Sequence, residues 1–203
     1  MGEVLSFKKI QVVLIAAIAA LALGCTLSLG VQSAFAVGTT FDAGEGATAA
    51  KYTITSMDPL EVAYTETAAT GNTIKVPATI SYEGKTYSVT SIAKQACKGS
   101  KASAITVGAN VKKIGNGAFR ACPNLKKLVI GSGVTKLGQS MVKNCKNLKV
   151  VTIKSTKLNK KAVKNCFKGS SVKTVKVPKS KVASYKKIFT KANCGKKVKV
   201  MAI

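Results

Sequence analysis

The sequence predicts a mainly β fold with short helical turns: a repeat solenoid of about five 21–24-residue coils, with an N-terminal β-hairpin cap and a C-terminal helical cap. Three observations predict it. The strings ITVGANV, LVIGSGV, VTIKSTK and VKVPKSK place the apolar pairs Ile105/Val107, Leu128/Ile130, Val151/Ile153 and Val175/Val177 at steps of 23, 23 and 24 residues. Each pair has the period-2 alternation of a short strand with one buried face, and Gly, Pro or Ser turn chemistry follows it. One unit of this length carries too few apolar groups to bury them alone, so neighbouring copies must stack to form a core.

Residues 1–36 fit a secretory signal. Lys8 and Lys9 form a positive start, 10–23 is an uncharged apolar run, and Ala34, Phe35 and Ala36 supply small residues for cleavage after Ala36. The apolar run is shorter than the roughly 20 residues that span a bilayer. A retained anchor remains an alternative, as does a lipoprotein at Cys25, although the preceding Leu21 sits one place too far upstream. With cleavage, the membrane is met only through the transient signal peptide. No LPxTG string supports covalent wall anchoring.

Residues 37–72, rich in Ala, Thr and Gly, read as a partly ordered cap or linker in which 51–57 and 60–65 can pair as strands. Residues 73–203 read as the repeat domain. It opens with Ile74/Val76, followed by a hairpin around Glu83, Gly84 and Lys85 that leaves Tyr82 and Tyr87 to cover the first coil. Second apolar anchors at Ile92, Ile114, Leu137 and Leu158 precede the next strands, with a segment between anchor and strand too short for an independent helix. It is read as a turn or brief helix on the outer side of each coil. Val182, Tyr185, Ile188 and Phe189 have helical spacing and predict one amphipathic helix ending near Gly195. Val198/Val200, 23 residues past Val175, is taken as the last strand.

The recurring set is fullest at Ile114, Gly115, Asn116, Gly117, Ala118 and Phe119, followed by Cys122, Leu125, Leu128 and Ile130. It resembles the BspA-type leucine-rich repeat over roughly residues 73–203. In the weaker copies Cys97 replaces the phenylalanine, Ser100 the cysteine, and Met141/Val142 or Ala162/Val163 the Ala-Phe pair. The resemblance implies an extracellular or cell-surface protein of a kind often linked to adhesion and host-protein binding.

Charge is distributed unevenly. Nothing after Glu83 is acidic, whereas the remaining 120 residues hold 29 Lys or Arg, Arg120 being the only arginine. Such a surface attracts polyanions nonspecifically and with strong salt dependence. One arginine, no tryptophan and few aromatics argue against specific nucleic-acid recognition, which needs bidentate base contacts or stacking platforms.

An exported chain invites a disulfide reading, and residues 37–203 carry five cysteines: Cys97, Cys122, Cys145, Cys166 and Cys194. Cys122, Cys145 and Cys166 are read as a structural ladder, one per coil, of buried thiols acting as small apolar groups, with one disulfide between adjacent coils left open. The chain has no His or CxxC, and its repeats hold no acidic residue, so neither a metal site nor a cofactor is expected. General acid–base chemistry lacks its usual residues for the same reason, and no catalytic residue is assigned.

Residues between the inward apolar positions of a strand point to solvent. That rule selects Lys75, Thr106, Val129, Thr152, Lys176 and Lys199 as one row. Lys127, Thr174 and Lys197 fall in a second row with Thr73, Ala104 and Val150. Two functions follow as expectations. One is a secreted or surface module that binds an extracellular protein or anionic glycan through this face. The other is an envelope-associated protein held on anionic wall polymers by its lysines.

Overall fold

The computed structural model describes residues 36–203. The predicted export signal therefore lies outside the described residues, apart from Ala36. Alternating apolar residues make strands throughout Val37–Ile203, and these gather into two sheets in one unit.

The first sheet begins with β1 (Thr40–Ala43), β2 (Ala50–Met57) and β3 (Leu60–Thr67), an antiparallel meander. The pairing read from 51–57 and 60–65 is thus present. Next comes β4 (Thr73–Val76), which belongs to the second sheet, and then the hairpin of β5 (Thr79–Tyr82) and β6 (Lys85–Ile92). Its two-residue loop puts Glu83 at φ 46 and Gly84 at φ 72, both left-handed, as a hairpin turn matching strand twist requires. β3 pairs in parallel with β6, so residues 37–72 are bonded into the same sheet as the hairpin.

Phe41 is the residue that joins these pieces. Its ring stacks on Tyr82 with centroids 3.9 Å apart and lies within 6.0 Å of both Tyr52 and Tyr87. Tyr82 and Tyr87, the tyrosines of the hairpin, thus pack against the amino-terminal strand.

The second sheet holds β4, β7 (Ala104–Val107), β9 (Lys127–Ile130), β10 (Val150–Ile153), β11 (Thr174–Val177) and β12 (Lys199–Ala202), all parallel and in chain order. Its register stacks Ile74, Ile105, Leu128, Val151, Val175 and Val200. All six are buried. A shorter strand, β8 (Lys113–Ile114), pairs with β6, and Lys113 bridges Lys136 one coil further on.

The opposite side of each coil is a turn rather than a helix, apart from a 3-10 turn at Lys161–Val163. Backbone bonds such as Cys97 N to Ala118 O and Phe119 N to Met141 O link successive turns, so peptide groups left over by the strands are satisfied between coils.

The turns also correct the fourth coil. Left-handed φ values recur at Gln95, Gly117, Ser140 and Asn165, and again at Gly99, Ala121, Asn144 and Gly169. Counting from these positions, Phe167 takes the place of Phe119, and Ser170 that of Cys122 and Cys145. The Ala162/Val163 and Cys166 alignment suggested by the repeated Lys-Asn-Cys string is displaced. The physical reason is a longer connection after β10, in which buried Ser155 bonds Val134 O and shifts everything downstream.

The carboxy-terminal helix is divided. α1 (Val182–Ile188) ends at Phe189, and α2 (Lys191–Cys194) starts afresh, with Thr190 Oγ1 accepting from Asn193 N at 3.3 Å. This cap interrupts the single helix expected. Phe189 turns inward to meet Phe167 at 5.9 Å and Tyr185 at 5.8 Å.

Candidate functional site

The outward face of the second sheet is the candidate site, and period-2 alternation places its residues. Lys75 and Thr106 are exposed, Val129 and Thr152 half-buried, and Lys176 exposed, all in one row by register. The sixth place in that row belongs to Met201, which pairs with Lys176 and is 39% exposed. Lys199 pairs with Thr174, in the row that also holds Thr73, Ala104, Lys127 and Val150. Lys197 lies before β12 and is not part of the strand face.

This corrects the last strand. Val175 faces Val200 rather than Val198, because the chain from β11 to β12 first forms α1 and α2 and spends two further residues before regaining register. The sequence offers a signal for this in Gly195, whose φ of 77 ends α2.

Within the coils, Cys122 Sγ donates to Cys97 O at 3.1 Å and Cys145 Sγ to Phe119 O at 2.9 Å. Ser100 and Ser170, on either side of this pair in the register, each accept from the amide two residues on. The column is therefore Ser100, Cys122, Cys145, Ser170, and Cys166 stands outside it. All five cysteines from Cys97 to Cys194 are buried and free. Burial pushes the Cys97 thiol from an ordinary 9.0 up to about 12 and raises Cys166 and Cys194 as well. The Cys122 thiol is raised first by its hydrogen bond with Cys145 and then by burial. Protonated thiols of this kind are poor nucleophiles.

Two features escaped sequence reasoning. Asn124 Nδ2 donates to Lys101 O at 3.2 Å and Asn147 Nδ2 to Pro123 O at 2.7 Å, so each asparagine ties its coil to the one before. Their signal was the recurring Asn-Leu ahead of β9 and β10. The other is an ion pair linking the first sheet to the coils. Lys112 Nζ donates to Glu61 Oε1 at 2.8 Å, and Thr90 Oγ1 donates to Glu61 Oε2 at 3.2 Å. The Lys112 hydrogen bond holds the Glu61 carboxyl below its ordinary 4.5 against the opposing effect of burial. This pair lines a polar cleft of about 340 Å³, shared with Ser88, Asn110 and Lys157. Sequence separation of 51 residues left no pattern to reveal it.

Among the described residues, no group of three or more His, Cys, Asp or Glu is arranged to hold a metal ion. No described helix is long and apolar enough to cross a membrane.

Comparison with known proteins agrees with this architecture. A leucine-rich repeat protein from Bacteroides capillosus is similar over 67% of this chain and 97% of its own, at 23% identity and a TM-score of 0.56. The T. pallidum leucine-rich repeat protein is similar over 74% of this chain and 79% of its own, at 16% identity and a TM-score of 0.47. A comparison with curated proteins gives no significant match. The family model for the BspA type leucine rich repeat region matches residues 79–195 in 6 copies. The chain belongs to the BspA-type leucine-rich repeat family.

Proposed function

We propose that this protein is an exported, non-enzymatic binding module whose coils form a capped solenoid and whose strand face receives the partner. The observation that carries this reading is the outward row Lys75, Thr106, Val129, Thr152, Lys176 and Met201, laid side by side across six parallel strands. A sheet face of this kind is rigid, because backbone bonds to both neighbours hold each inner strand. Side chains on it are pre-positioned, which lowers the ordering cost of binding. The neutral Thr and Val centre suits a protein or glycan surface, with lysines toward the ends to select anionic character. The cysteines fill the interior and have no activating base, so the family's repeat chemistry supports binding rather than turnover. Export follows from the reading of residues 1–36, and the aromatic group around Phe41 and the helix α1 serve as the two caps.

A glycan and matrix-protein binding array at two salt concentrations tests this reading. Wild type is expected to retain a defined set of partners, and the triple variant Lys127→Glu, Lys176→Glu, Lys199→Glu to lose them while unfolding at the same temperature. Unchanged binding by the triple variant rejects the face.

A second reading is favoured by a specific observation: no carboxylate follows Glu83 among 29 basic residues. The lysines then hold the exported protein electrostatically on anionic polymers of its own envelope. Retention on cells through a wash of about 1 M salt, where screening reaches roughly 3 Å, rejects it.

A further inference from the structure

The lysines are not spread evenly around the coils. Because Lys127, Val150 and Thr174 are in register, the residues just before them, Lys126, Lys149 and Lys173, stand side by side at the entry of successive strands. Lys173 N donates to Lys149 O at 2.8 Å, which fixes that neighbourhood. All three are exposed. Lys127 and Lys199 project from the adjoining row of the strand face, so this margin carries five lysines over four coils. The other ends of the strands differ. There the corresponding positions are Pro77, Gly108, Gly131, Lys154 and Pro178, with a single lysine.

Neighbouring strands lie about 4.8 Å apart, and like charges directly opposite one another across a ladder are destabilising. Among the described residues, none of these lysines forms an ion pair that would relieve the repulsion. The two ion pairs among the described residues, Lys51 with Glu66 and Lys112 with Glu61, use carboxylates of the first sheet. Lys149 Nζ turns to Lys146 O at 2.6 Å, which satisfies one proton of the ammonium but leaves its charge. A regular column of positive groups without counter-charge is matched by a linear polymer carrying a regular column of negative ones.

We infer that the strand-entry margin formed by Lys126, Lys127, Lys149, Lys173 and Lys199 is a track for a linear, base-free phosphodiester polymer of the polyol-phosphate type. This rests on the envelope-retention reading above and names its site and ligand. Lysine suits the polymer because its ammonium acts as a point charge on phosphate and requires no planar bidentate partner. Nucleic acid fits less well. No aromatic residue stands in either strand-face row or in the entry column, so bases would find no stacking platform. Binding along the track releases counterions from the polymer, so affinity falls steeply with salt.

The test measures binding of the full chain to a poly(glycerol phosphate) oligomer by fluorescence anisotropy across a salt series. The margin variant Lys126→Gln, Lys149→Gln, Lys173→Gln is compared with the control Lys98→Gln, Lys143→Gln, Lys168→Gln, which removes the same charge from the turn side. The margin variant is expected to bind at least about tenfold more weakly and to lose about 2 from the log–log salt slope, from roughly 0.7 per lost phosphate contact. The control is expected to lose less than half as much. Equal losses in both variants overturn the track and leave retention by net charge standing. A base-containing single strand bound as tightly as the polyol phosphate overturns the ligand class. No binding to the oligomer, with salt-extractable retention on whole envelopes intact, also overturns the inference but not the retention reading. Thermal unfolding of each variant in the same buffer guards against loss of fold, and the margin variant should unfold no earlier than wild type.

Discussion

Cys145 Sγ lies 2.9 Å from the carbonyl oxygen of Phe119, one coil upstream, and donates its proton there. Cys122 does the same toward Cys97 at 3.1 Å. A small thiol in these places fills a tight interior and also satisfies a carbonyl that the strand ladders do not reach. The cysteines are therefore building material of the coils, which accounts for their burial and for the raised thiols of Cys97, Cys122, Cys166 and Cys194, whereas the hydrogen bond with Cys122 lowers Cys145.

Alkaline pH should expose this role. A thiol raised from 9.0 to about 12, as in Cys97, binds its proton more tightly in the folded state. Stability from it is complete below about pH 9 and is lost as pH climbs toward the folded value. Tyr52, raised from 10.0 to about 12 by burial, adds to the same limb. Thermal midpoints measured from pH 7 to 11 should hold to about 9 and then fall. A midpoint that holds flat through pH 11 would refute buried, protonated thiols.

Glu61 governs the acid limb in the opposite sense. Its carboxyl is depressed by Lys112, so its stabilisation is present above the unfolded value of 4.5 and is lost as pH falls through the folded one. The variant Glu61→Gln should cost up to about 1 kcal/mol at pH 7, a modest figure because Lys112 is largely exposed. Chemical denaturation at pH 7 and pH 3 checks this. The gap between variant and wild type should narrow at pH 3, and a constant gap would mean that packing, rather than charge, is responsible.

Gly138 is fixed by the stacking of coils. A Cβ there would collide with the backbone carbonyl of Gly115 on the preceding coil. Gly138→Ala should therefore destabilise by about 3 kcal/mol, since packed backbone cannot yield cheaply. Gly117→Ala is the contrast, for its nearest new neighbour is the Arg120 side chain at 3.6 Å and only its left-handed φ of 60 is strained. That variant should cost about 1 kcal/mol. Denaturant midpoints that reverse this order would contradict the register.

Tyr185 anchors the long connection that displaces the fourth coil. Its hydroxyl donates to Ser155 O at 2.9 Å and accepts from Leu158 N at 3.0 Å. Tyr185→Phe leaves both backbone groups unpaired in a buried place, at a cost of about 2 kcal/mol. Hydrogen exchange should show the Leu158 amide losing protection before those of β9. Unchanged exchange at Leu158 would remove the anchor.

The strands β4, β7, β9, β10 and β11 were legible in the sequence because each carries two β-branched or leucine residues at period 2, and that spacing survives any change in the connections. Connections were less legible. Lys164, Asn165 and Cys166 repeat the letters of Lys143, Asn144 and Cys145, yet the backbone follows the left-handed positions at Asn165 and Gly169, so identical letters fall out of phase. The pair Val198/Val200 rests on a constant 23-residue step that sets Val198 opposite Val175, but the intervening segment contains two helices, so Val200 takes that place. The lysine excess was plain from composition, but its margin was not, since only the stacking of coils brings Lys126, Lys149 and Lys173 together. Phe41 gave no periodic signal at all, being a single ring whose partners come from three other strands.

The proposed reception of a partner by the strand face can be tested directly through the buried thiols. Because the native cysteines from Cys97 to Cys194 are all buried, Thr152→Cys places one reactive thiol at the centre of the face, and Lys143→Cys places one on the turn side. Each is coupled to a bulky maleimide polymer, and binding to a partner found on the array is measured before and after coupling. Modification at Thr152→Cys is expected to abolish binding, while modification at Lys143→Cys leaves it within about twofold. Full binding after modification at Thr152→Cys, or loss only at Lys143→Cys, would contradict it.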